Sequence, residues 1–350
     1  MTTKRFVAAG HSDLDELYAD FAAHDLQPLW EMKGLLTAAP APRMVPFRWR
    51  TGDLMKLGQR AMELVPIDRG GDRRVLAFAN PGLSGAPYAT NSLWAAAQFL
   101  GPHEVAPAHR HSPAALRFVL EGSGVWTLVN GDPLHMGRGD LVLTPSMCFH
   151  QHHNPSPRSM VWLDVLDLPM IDFLDAIFFE EGPLDEVDQR TDPVSGSEIN
   201  YAHPGIVPVG LYDPATPHSP LLVYRWADTD TALEAILGAT GESAATVRFK
   251  DPTRAADVMP TMRCEMLRVR PRGELPPERQ TGSRVVAVLA GGGTATVADQ
   301  EYDLRAGDVY VIPSWATHAV AASDGQLDLF VTSDAPVLEA LHVHRTEPAR

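Results

Sequence analysis

The chain has 350 residues, a length that fits two domains or one large domain. Hydrophobic residues make up 45% of the sequence and charged residues 21%, which is typical of a globular protein with a sizeable core. The formal net charge of -15 argues against a nucleic-acid or anionic-membrane partner, because binding phosphate groups requires a basic surface.

Cysteine content and hydropathy indicate the cellular compartment of the protein. Its two cysteines, Cys148 and Cys264, are too few for a disulfide framework. The amino-terminal residues lack the apolar run of a signal peptide, and no stretch approaches the roughly 20 apolar residues that span a bilayer. We therefore expect a cytoplasmic protein without a membrane partner.

The amino-terminal part has helical periodicity. Apolar residues recur at spacings of three and four from Asp13 to about Ala38, and a weaker helical pattern runs from Trp49 to Glu63. We expect a helical arm over residues 1–72. Its large apolar side chains either cover one mouth of a barrel, pack on a partner subunit or line a pocket.

Residues 73–170 have the pattern of β-strands. Short apolar runs alternate with Gly, Pro and Asn turns at intervals of roughly 8–12 residues, as in a sandwich or barrel. Asn130-Gly131 between two apolar runs predicts a two-residue type I′ hairpin.

Residues 171–258 are predicted to connect two β-rich regions. Helical spacing of apolar residues runs from Pro169 to Glu181, and another helix is predicted from Thr229 to Leu237. Residues 182–220 are rich in Pro, Gly and Ser and should have little regular structure. The strand pattern returns over residues 259–345.

The second β-rich region repeats the first. The segment from Gly307 to His318 matches the segment from Gly139 to His150 without a gap, and the glycines, aspartates, prolines, serines and final histidines coincide. Self-similarity of this kind indicates two copies of one structural unit. The chain is therefore predicted to contain two β-barrels.

Three histidines of the first copy have the spacing of a metal site. His109 and His111 are two residues apart on a strand, so both side chains face the same way. His150, at the start of a later strand, completes a face of three imidazoles. Such a face leaves coordination positions open, as catalytic metals require.

The second copy lacks this pattern. When Gly291 is aligned with Gly122, Glu278 and Gln280 take the places of the first two histidines, and only His318 remains. A single histidine is far more often a hydrogen-bonded structural residue than a ligand. We expect no metal in the second barrel, which then stabilises the first barrel and builds the oligomer.

These motifs resemble the cupin superfamily, and in particular a bicupin. The His-X-His pair fits the first cupin motif, and Gly139, Pro145, His150 and Asn154 fit the second. The motif glutamate is missing, which leaves a three-histidine site. The resemblance implies a mainly all-β fold with two double-stranded β-helix (jelly-roll) barrels and a helical amino-terminal arm.

More narrowly, segments 107–111, 115–122, 139–146 and 162–169 resemble the gentisate 1,2-dioxygenase family, which includes salicylate and 1-hydroxy-2-naphthoate ring-cleaving relatives. The resemblance implies Fe(II) at His109, His111 and His150 and cleavage of gentisate between C1 and C2, with O₂, to give maleylpyruvate. It also implies a homotetramer.

Further site residues follow from this resemblance. Arg117, a charged residue inside an apolar strand, is expected to bind the substrate carboxylate or the developing oxyanion, and the alternative is a surface or inter-strand ion pair. His152 is expected to move a proton or hold the phenolate, with Asp164 orienting it, unless it is a hydrogen-bonded barrel residue. Gln98 and Trp94, on one face of the strand leading to the site, match pocket positions of the family and are expected either to bind substrate or to pack in the core, and Arg73 or Arg74 is a further candidate for substrate binding.

Other readings stay open at this point. Salicylate, 1-hydroxy-2-naphthoate or a substituted salicylate is an alternative substrate for the same mechanism. A non-catalytic metal-binding bicupin is an alternative of another class. A metal-dependent isomerase of the cupin class is a third option, but it would usually keep the motif glutamate.

Overall fold

A computed structural model of the chain describes residues 11–66, 74–182, 195–211 and 216–349. Arg73, one of the two predicted arginine candidates, lies outside the described residues. The contacts divide the chain into one unit of residues 1–41 and another of residues 42–350. This division falls well before the predicted boundary at residue 72, because the second predicted helix belongs to the larger unit.

The first unit contains helix α1 (His11–Ala23) and a 3-10 turn (Leu29–Glu31). Phe21 packs edge-on against Trp30 with ring centroids 5.9 Å apart, and the Trp30 indole donates a hydrogen bond to the Tyr18 hydroxyl at 3.1 Å. The prediction of one helix as far as Ala38 is wrong. The helix ends at Ala23, and Asp25 then adopts a left-handed φ of 54°, a conformation that commonly terminates helices.

The first half of the larger unit contains short and medium strands with two helices. Their bounds are β1 (Phe47–Trp49), α2 (Thr51–Leu64), β2 (Val75–Ala77), β3 (Trp94–Leu100), β4 (Val105–His111), β5 (Ala115–Glu121), β6 (Ser123–Val129), β7 (Asp132–Gly137), β8 (Leu141–Thr144), β9 (His150–His153), β10 (Met160–Leu166), α3 (Leu168–Phe173) and β11 (Phe179–Glu181).

The second half repeats this order after one extra helix. Its elements are α4 (Gly196–Tyr201), β12 (Val223–Tyr224), α5 (Trp226–Thr240), β13 (Ala244–Arg248), β14 (Arg263–Val269), β15 (Glu274–Gln280), β16 (Arg284–Ala290), β17 (Gly292–Val297), β18 (Gln300–Arg305), β19 (Val309–Ile312), β20 (His318–Ala322), β21 (Leu327–Ser333), α6 (Ala335–Ala340) and β22 (Thr346–Pro348).

The strands form two antiparallel barrels, as predicted. Barrel 1 combines a six-stranded sheet, β12-β8-β5-β10-β3-β2, with a five-stranded sheet, β11-β4-β9-β6-β7. Barrel 2 combines β1-β19-β16-β21-β14-β13 with β18-β17-β20-β15-β22. The predicted hairpin joins β6 and β7: Asn130 and Gly131 have φ of 45° and 84°, the two positive values that a type I′ turn requires.

Each half lends its first strand and helix to the barrel of the other half. Strand β1 precedes barrel 1 in the chain but pairs with β19 of barrel 2, and β12 precedes barrel 2 but pairs with β8 of barrel 1. The helices follow the strands: the Thr51 N–H donates to Asp308 at 2.8 Å, and the Trp226 N–H donates to Asp140 at 2.9 Å. The two barrels are therefore interlocked.

The region predicted as a connector is part of both barrels. The helix predicted from Pro169 to Glu181 is helical only as far as Phe173, and Phe179–Glu181 is the edge strand β11, paired with β4. Residues 182–220, predicted to be irregular, include α4. Among the described residues, no helix combines the length and the apolar character needed to cross a membrane.

The alternation of side chains along β5 explains how the cores are arranged. Leu116 and Phe118 join the core between the two barrels, where Phe118 stacks on Phe330 at 4.0 Å between ring centroids. Val119 belongs to the core inside barrel 1. Because alternate residues of a strand face opposite sides, Arg117 points into the interior of barrel 1 with Val119.

Candidate metal centre

Two neighbouring strands bring the three predicted ligands together inside barrel 1. His109 on β4 lies directly opposite His150 on β9, and His111 follows on the same face of β4. The His150 ring centroid is 4.3 Å from that of His109 and 4.9 Å from that of His111. One nitrogen of each ring lies within 4.8 Å of the other two.

Backbone carbonyl groups set the tautomer of each ring. In every case Nδ1 lies at hydrogen-bond distance from a carbonyl oxygen two residues away: 3.0 Å for His109 to Pro107, 2.7 Å for His111 to Pro113 and 3.0 Å for His150 to Cys148. A ring that donates from Nδ1 keeps the lone pair on Nε2 for a metal. Nε2 of His150 is buried without a hydrogen-bond partner. The site therefore fits a metal ion bound by three Nε2 atoms.

Burial keeps the rings of His111 and His150 neutral, which is the form that binds a metal. It lowers the pKa of His111 to about 4. Burial, together with the nearby charge of Arg117, holds the pKa of His150 and His152 well below the usual value of histidine. Neutral imidazoles can approach one another closely, whereas imidazolium groups would repel.

The equivalent position in barrel 2 is arranged differently. Glu278 lies opposite His318, as His109 lies opposite His150, which confirms the alignment of the two copies. Glu278 accepts a hydrogen bond from Arg284 at 3.1 Å, and Nε2 of His318 lies 3.1 Å from the Tyr310 hydroxyl. These residues hold one another, and the absence of a metal from barrel 2 stays a prediction.

A buried cation lies beside the three histidines. Arg117 is only 4% exposed, its guanidinium contacts the Thr144 hydroxyl, and its Nε lies 3.3 Å from Asp164 Oδ1. Asp164 also accepts a hydrogen bond from the Trp162 indole at 3.1 Å. Burial raises the pKa of Asp164 to about 6, and the charge of Arg117 opposes a larger rise.

His152 and Asp164 have separate partners, although Asp164 was predicted to orient His152. Nδ1 of His152 lies 2.8 Å from the Thr127 hydroxyl, which donates in turn to the sulfur of Met136 at 3.1 Å. When its proton is directed at the sulfur, the hydroxyl oxygen can accept a hydrogen bond from Nδ1–H of His152. This tautomer leaves Nε2 of His152 as a hydrogen-bond acceptor.

Strand β3 places Trp94 and Gln98 on the inner face of barrel 1. Gln98 lies opposite Trp162 and Trp94 lies opposite Leu166, so both share the face that carries Asp164. Their predicted common face is confirmed, while their binding role stays a prediction. The Arg74 guanidinium pairs with Glu104 and donates to the Val65 carbonyl at 2.9 Å, and its role in substrate binding stays a prediction.

Several residues that shape the site were missed in the sequence. Thr127, Thr144 and Trp162 hold the predicted residues in place, but isolated polar or aromatic residues in apolar strands carry no distinguishing signal. Phe179 stacks on His109 with ring centroids 5.5 Å apart. Its segment was predicted to be helical, so its pairing with β4 was not foreseen.

The fold and the site define a two-barrel cupin protein with a three-histidine metal centre in barrel 1. The family model described as "Cupin domain" matches residues 98–166 and 265–333. A gentisate 1,2-dioxygenase from Streptomyces sp is 48% identical over 343 residues, which are 95% of each chain. A 5-aminosalicylate 1,2-dioxygenase from Comamonas sp is 34% identical, covering 96% of this chain and 90% of the relative.

A solved structure agrees with these relatives. The salicylate 1,2-dioxygenase from Pseudoaminobacter salicylatoxidans, in adducts with gentisate, superposes with a TM-score of 0.92 at 42% identity and covers 99% of this chain and 98% of its own. The chain belongs to the gentisate 1,2-dioxygenase family of bicupins.

Proposed function

We propose that the protein is an Fe(II)-dependent dioxygenase that cleaves the ring of gentisate between C1 and C2, with both atoms of O₂, to give maleylpyruvate. The observation that carries this proposal is the face of His109, His111 and His150, of which His150 is buried, next to the buried cation of Arg117. The similarity to a gentisate 1,2-dioxygenase over 95% of the chain supports the choice of substrate.

The three histidines would hold the iron through Nε2. Imidazole ligands suit iron but do not select it over other divalent transition metals, so iron rests on the family. Once bound, Fe(II) would supply a Lewis acid with open positions for an ortho-hydroxybenzoate and O₂ and a route for electron density between them. The protein contributes the neutral rings and the carbonyl groups that orient them.

Arg117 is proposed to bind the carboxylate of the aromatic acid. A guanidinium has five N–H donors, and the contacts with Thr144 and Asp164 fix its orientation while using only some of them. Planar carboxylates are bound well by such a fork. Burial strengthens the attraction, since the local dielectric is low.

His152 is proposed to accept a hydrogen bond from a ring hydroxyl at Nε2. Thr127 holds the opposite side of the ring, which fixes the direction of that lone pair. Asp164 is proposed to act through Arg117, which it positions, and Trp94 and Gln98 are proposed to line the pocket for the ring.

The first test is anaerobic reconstitution with Fe(II), followed by O₂ uptake with gentisate and detection of the yellow ring-cleavage product. We expect His111→Ala to abolish uptake. The matched control is His135→Ala, which removes an exposed histidine of the same barrel and should leave uptake intact. Uptake with salicylate or 1-hydroxy-2-naphthoate but not with gentisate would assign a sister activity.

A metal-binding protein without catalysis is the alternative of another class. It would bind iron at the three histidines but show no O₂ uptake with any hydroxybenzoate or hydroxynaphthoate. The buried pair of Arg117 and Asp164 favours the enzyme. A buried ion pair is often less stabilising than apolar residues of the same size, so its presence at this position points to a functional role.

The protein is proposed to work in the cytoplasm as a homotetramer. Phe173, the last residue of α3, and Phe178, just before β11, are 86% and 63% exposed in the single chain. Exposed apolar patches of this kind mark interaction surfaces. Sedimentation velocity of the full chain measures the oligomer directly, and a monomer at working concentrations would refute this part of the proposal.

A further inference from the structure

The two exchanged helices begin in equivalent ways but with side chains of very different size. Helix α2 begins at Thr51 and α5 at Trp226, and each first residue donates its backbone N–H to an aspartate, Asp308 or Asp140. The two aspartates are equivalent residues of the repeat. A threonine in one half therefore takes the place of a tryptophan in the other.

The indole of Trp226 fills the space at its own helix. A Cβ atom added to Gly139 would lie 2.8 Å from the indole, so only glycine lets the ring pack so closely. On the other side, the guanidinium of Arg268 lies 5.6 Å from the ring centroid. Arg268 is paired in turn with Asp328 at 2.8 Å. The indole of Trp226 and the charged side chains of Arg268 and Asp328 therefore fill the space beside the start of α5.

The equivalent space beside Thr51 is a cavity of about 170 Å³. Phe99 and Val161 form one wall of the cavity, and they are equivalent to Arg268 and Asp328 of the other half. In each half the two residues pair with each other across neighbouring strands. Val161 and Asp328 also lie opposite the last residue of β5 and of β16, respectively. The remaining walls are mostly apolar and come from α2 and from both barrels: Leu54, Met55, Ala97, Leu120 and Leu289.

The rim of the cavity is polar and fixed. Arg138 donates from Nε to the Leu120 carbonyl at 3.2 Å and from another nitrogen to the Leu289 carbonyl, and Glu121 lies beside it. The cavity is distinct from the metal centre, because Phe99 and Gln98 are adjacent on β3 and point to opposite faces.

We propose that this cavity is a binding site for a small uncharged planar aromatic molecule, between benzene and indole in size. The ligand takes the place that the Trp226 indole fills in the other half. The volume supports this class, since a dry cavity of about 150 Å³ lined by apolar side chains binds benzene. An uncharged ring fits this lining best, because most of the walls are apolar and Arg138, the cation on the rim, already donates to two carbonyl groups.

The test is calorimetric titration of the full-length, metal-free protein with indole. We expect saturable binding of one indole per chain. Thr51→Trp fills the cavity with its own ring and should weaken indole binding by more than about tenfold. The matched control is Gln59→Trp, which adds the same ring at an exposed position of α2 and should leave indole binding unchanged.

Indole binding to Thr51→Trp with unchanged affinity, or no binding to the wild type, would overturn the proposal. A second measurement does not depend on the variant folding: crystals of the wild type soaked with 5-bromoindole. We expect bromine density between Thr51, Phe99 and Leu289. Density only at the metal centre, or a cavity filled by residues 1–41 or by a partner chain, contradicts the assignment.

Discussion

The buried pair of Arg117 and Asp164 allows a prediction with a defined pH dependence. Arg117 and Val286 are the third residues of β5 and β16, and Asp164 and Val331 are the fifth residues of β10 and β21. Barrel 2 thus packs two valines where barrel 1 has an ion pair. We predict that Arg117→Met destabilises the protein and that adding Asp164→Val restores most of the loss.

The magnitude follows from the pKa of Asp164, which burial raises to about 6 against the opposing charge of Arg117. Without that charge the pKa should rise further, so the folded variant keeps Asp164 protonated. The wild type gains stability over the variant only where its own Asp164 is ionised, at pH above about 6. Each pH unit corresponds to about 1.4 kcal/mol, so the loss is about 3 kcal/mol at pH 8 and near zero at pH 5.

The assay is urea unfolding of the metal-free wild type, the single variant and the double variant at both pH values, with O₂ uptake measured in parallel. Both variants should lose activity, because both lack the cation. Arg110→Met, which breaks the exposed ion pair with Glu180, is the control and should cost less than about 1 kcal/mol at either pH. An equal loss for Arg117→Met at both pH values, or a double variant no more stable at pH 8 than the single, would refute the reasoning.

Three further predictions concern the metal, the core and the backbone. His150→Ala should remove bound iron, measured by elemental analysis, whereas His318→Ala should leave the iron content unchanged. Phe118→Ala should cost about 3–5 kcal/mol in unfolding free energy, because it opens the stacked core between the barrels; a cost below about 1 kcal/mol would contradict this. Gly291→Ala should prevent folding or greatly lower the melting temperature, since its φ is 80° and the new Cβ would overlap the Gln326 carbonyl. The control is Gly238→Ala, at a position on α5 with free space around it, which should stabilise the protein by about 1 kcal/mol.

The metal ligands were predictable because strand periodicity and the repeat fix them locally. Two histidines two residues apart share a face in any strand, and the match of Gly139–His150 to Gly307–His318 locates the third ligand without knowledge of the pairing. The register of β4 with β9 then confirms the face. Residues at fixed spacing within one element are the part of a site that a sequence specifies most directly.

Long-range pairing explains what the sequence did not reveal. The apolar residues before Phe179–Glu181 have helical spacing, yet this segment forms a strand because it pairs with the edge of β4. The partner of Asp164 depends on register: its neighbour on β5 is Arg117, whereas His152 lies on the opposing sheet. Short strands such as β1 and β12 carry no local signal for the barrel that they join.

The exchange of β1–α2 and β12–α5 makes each half depend on the other for a complete barrel. The second half, which carries Glu278 and Gln280 at the positions of His109 and His111, supplies the edge strand that pairs with β8 and the helix that is anchored by Asp140. Deleting it would therefore open the sheet that carries Arg117. The metal centre of one half therefore depends on the fold of the other half, so the two halves form a single structural unit.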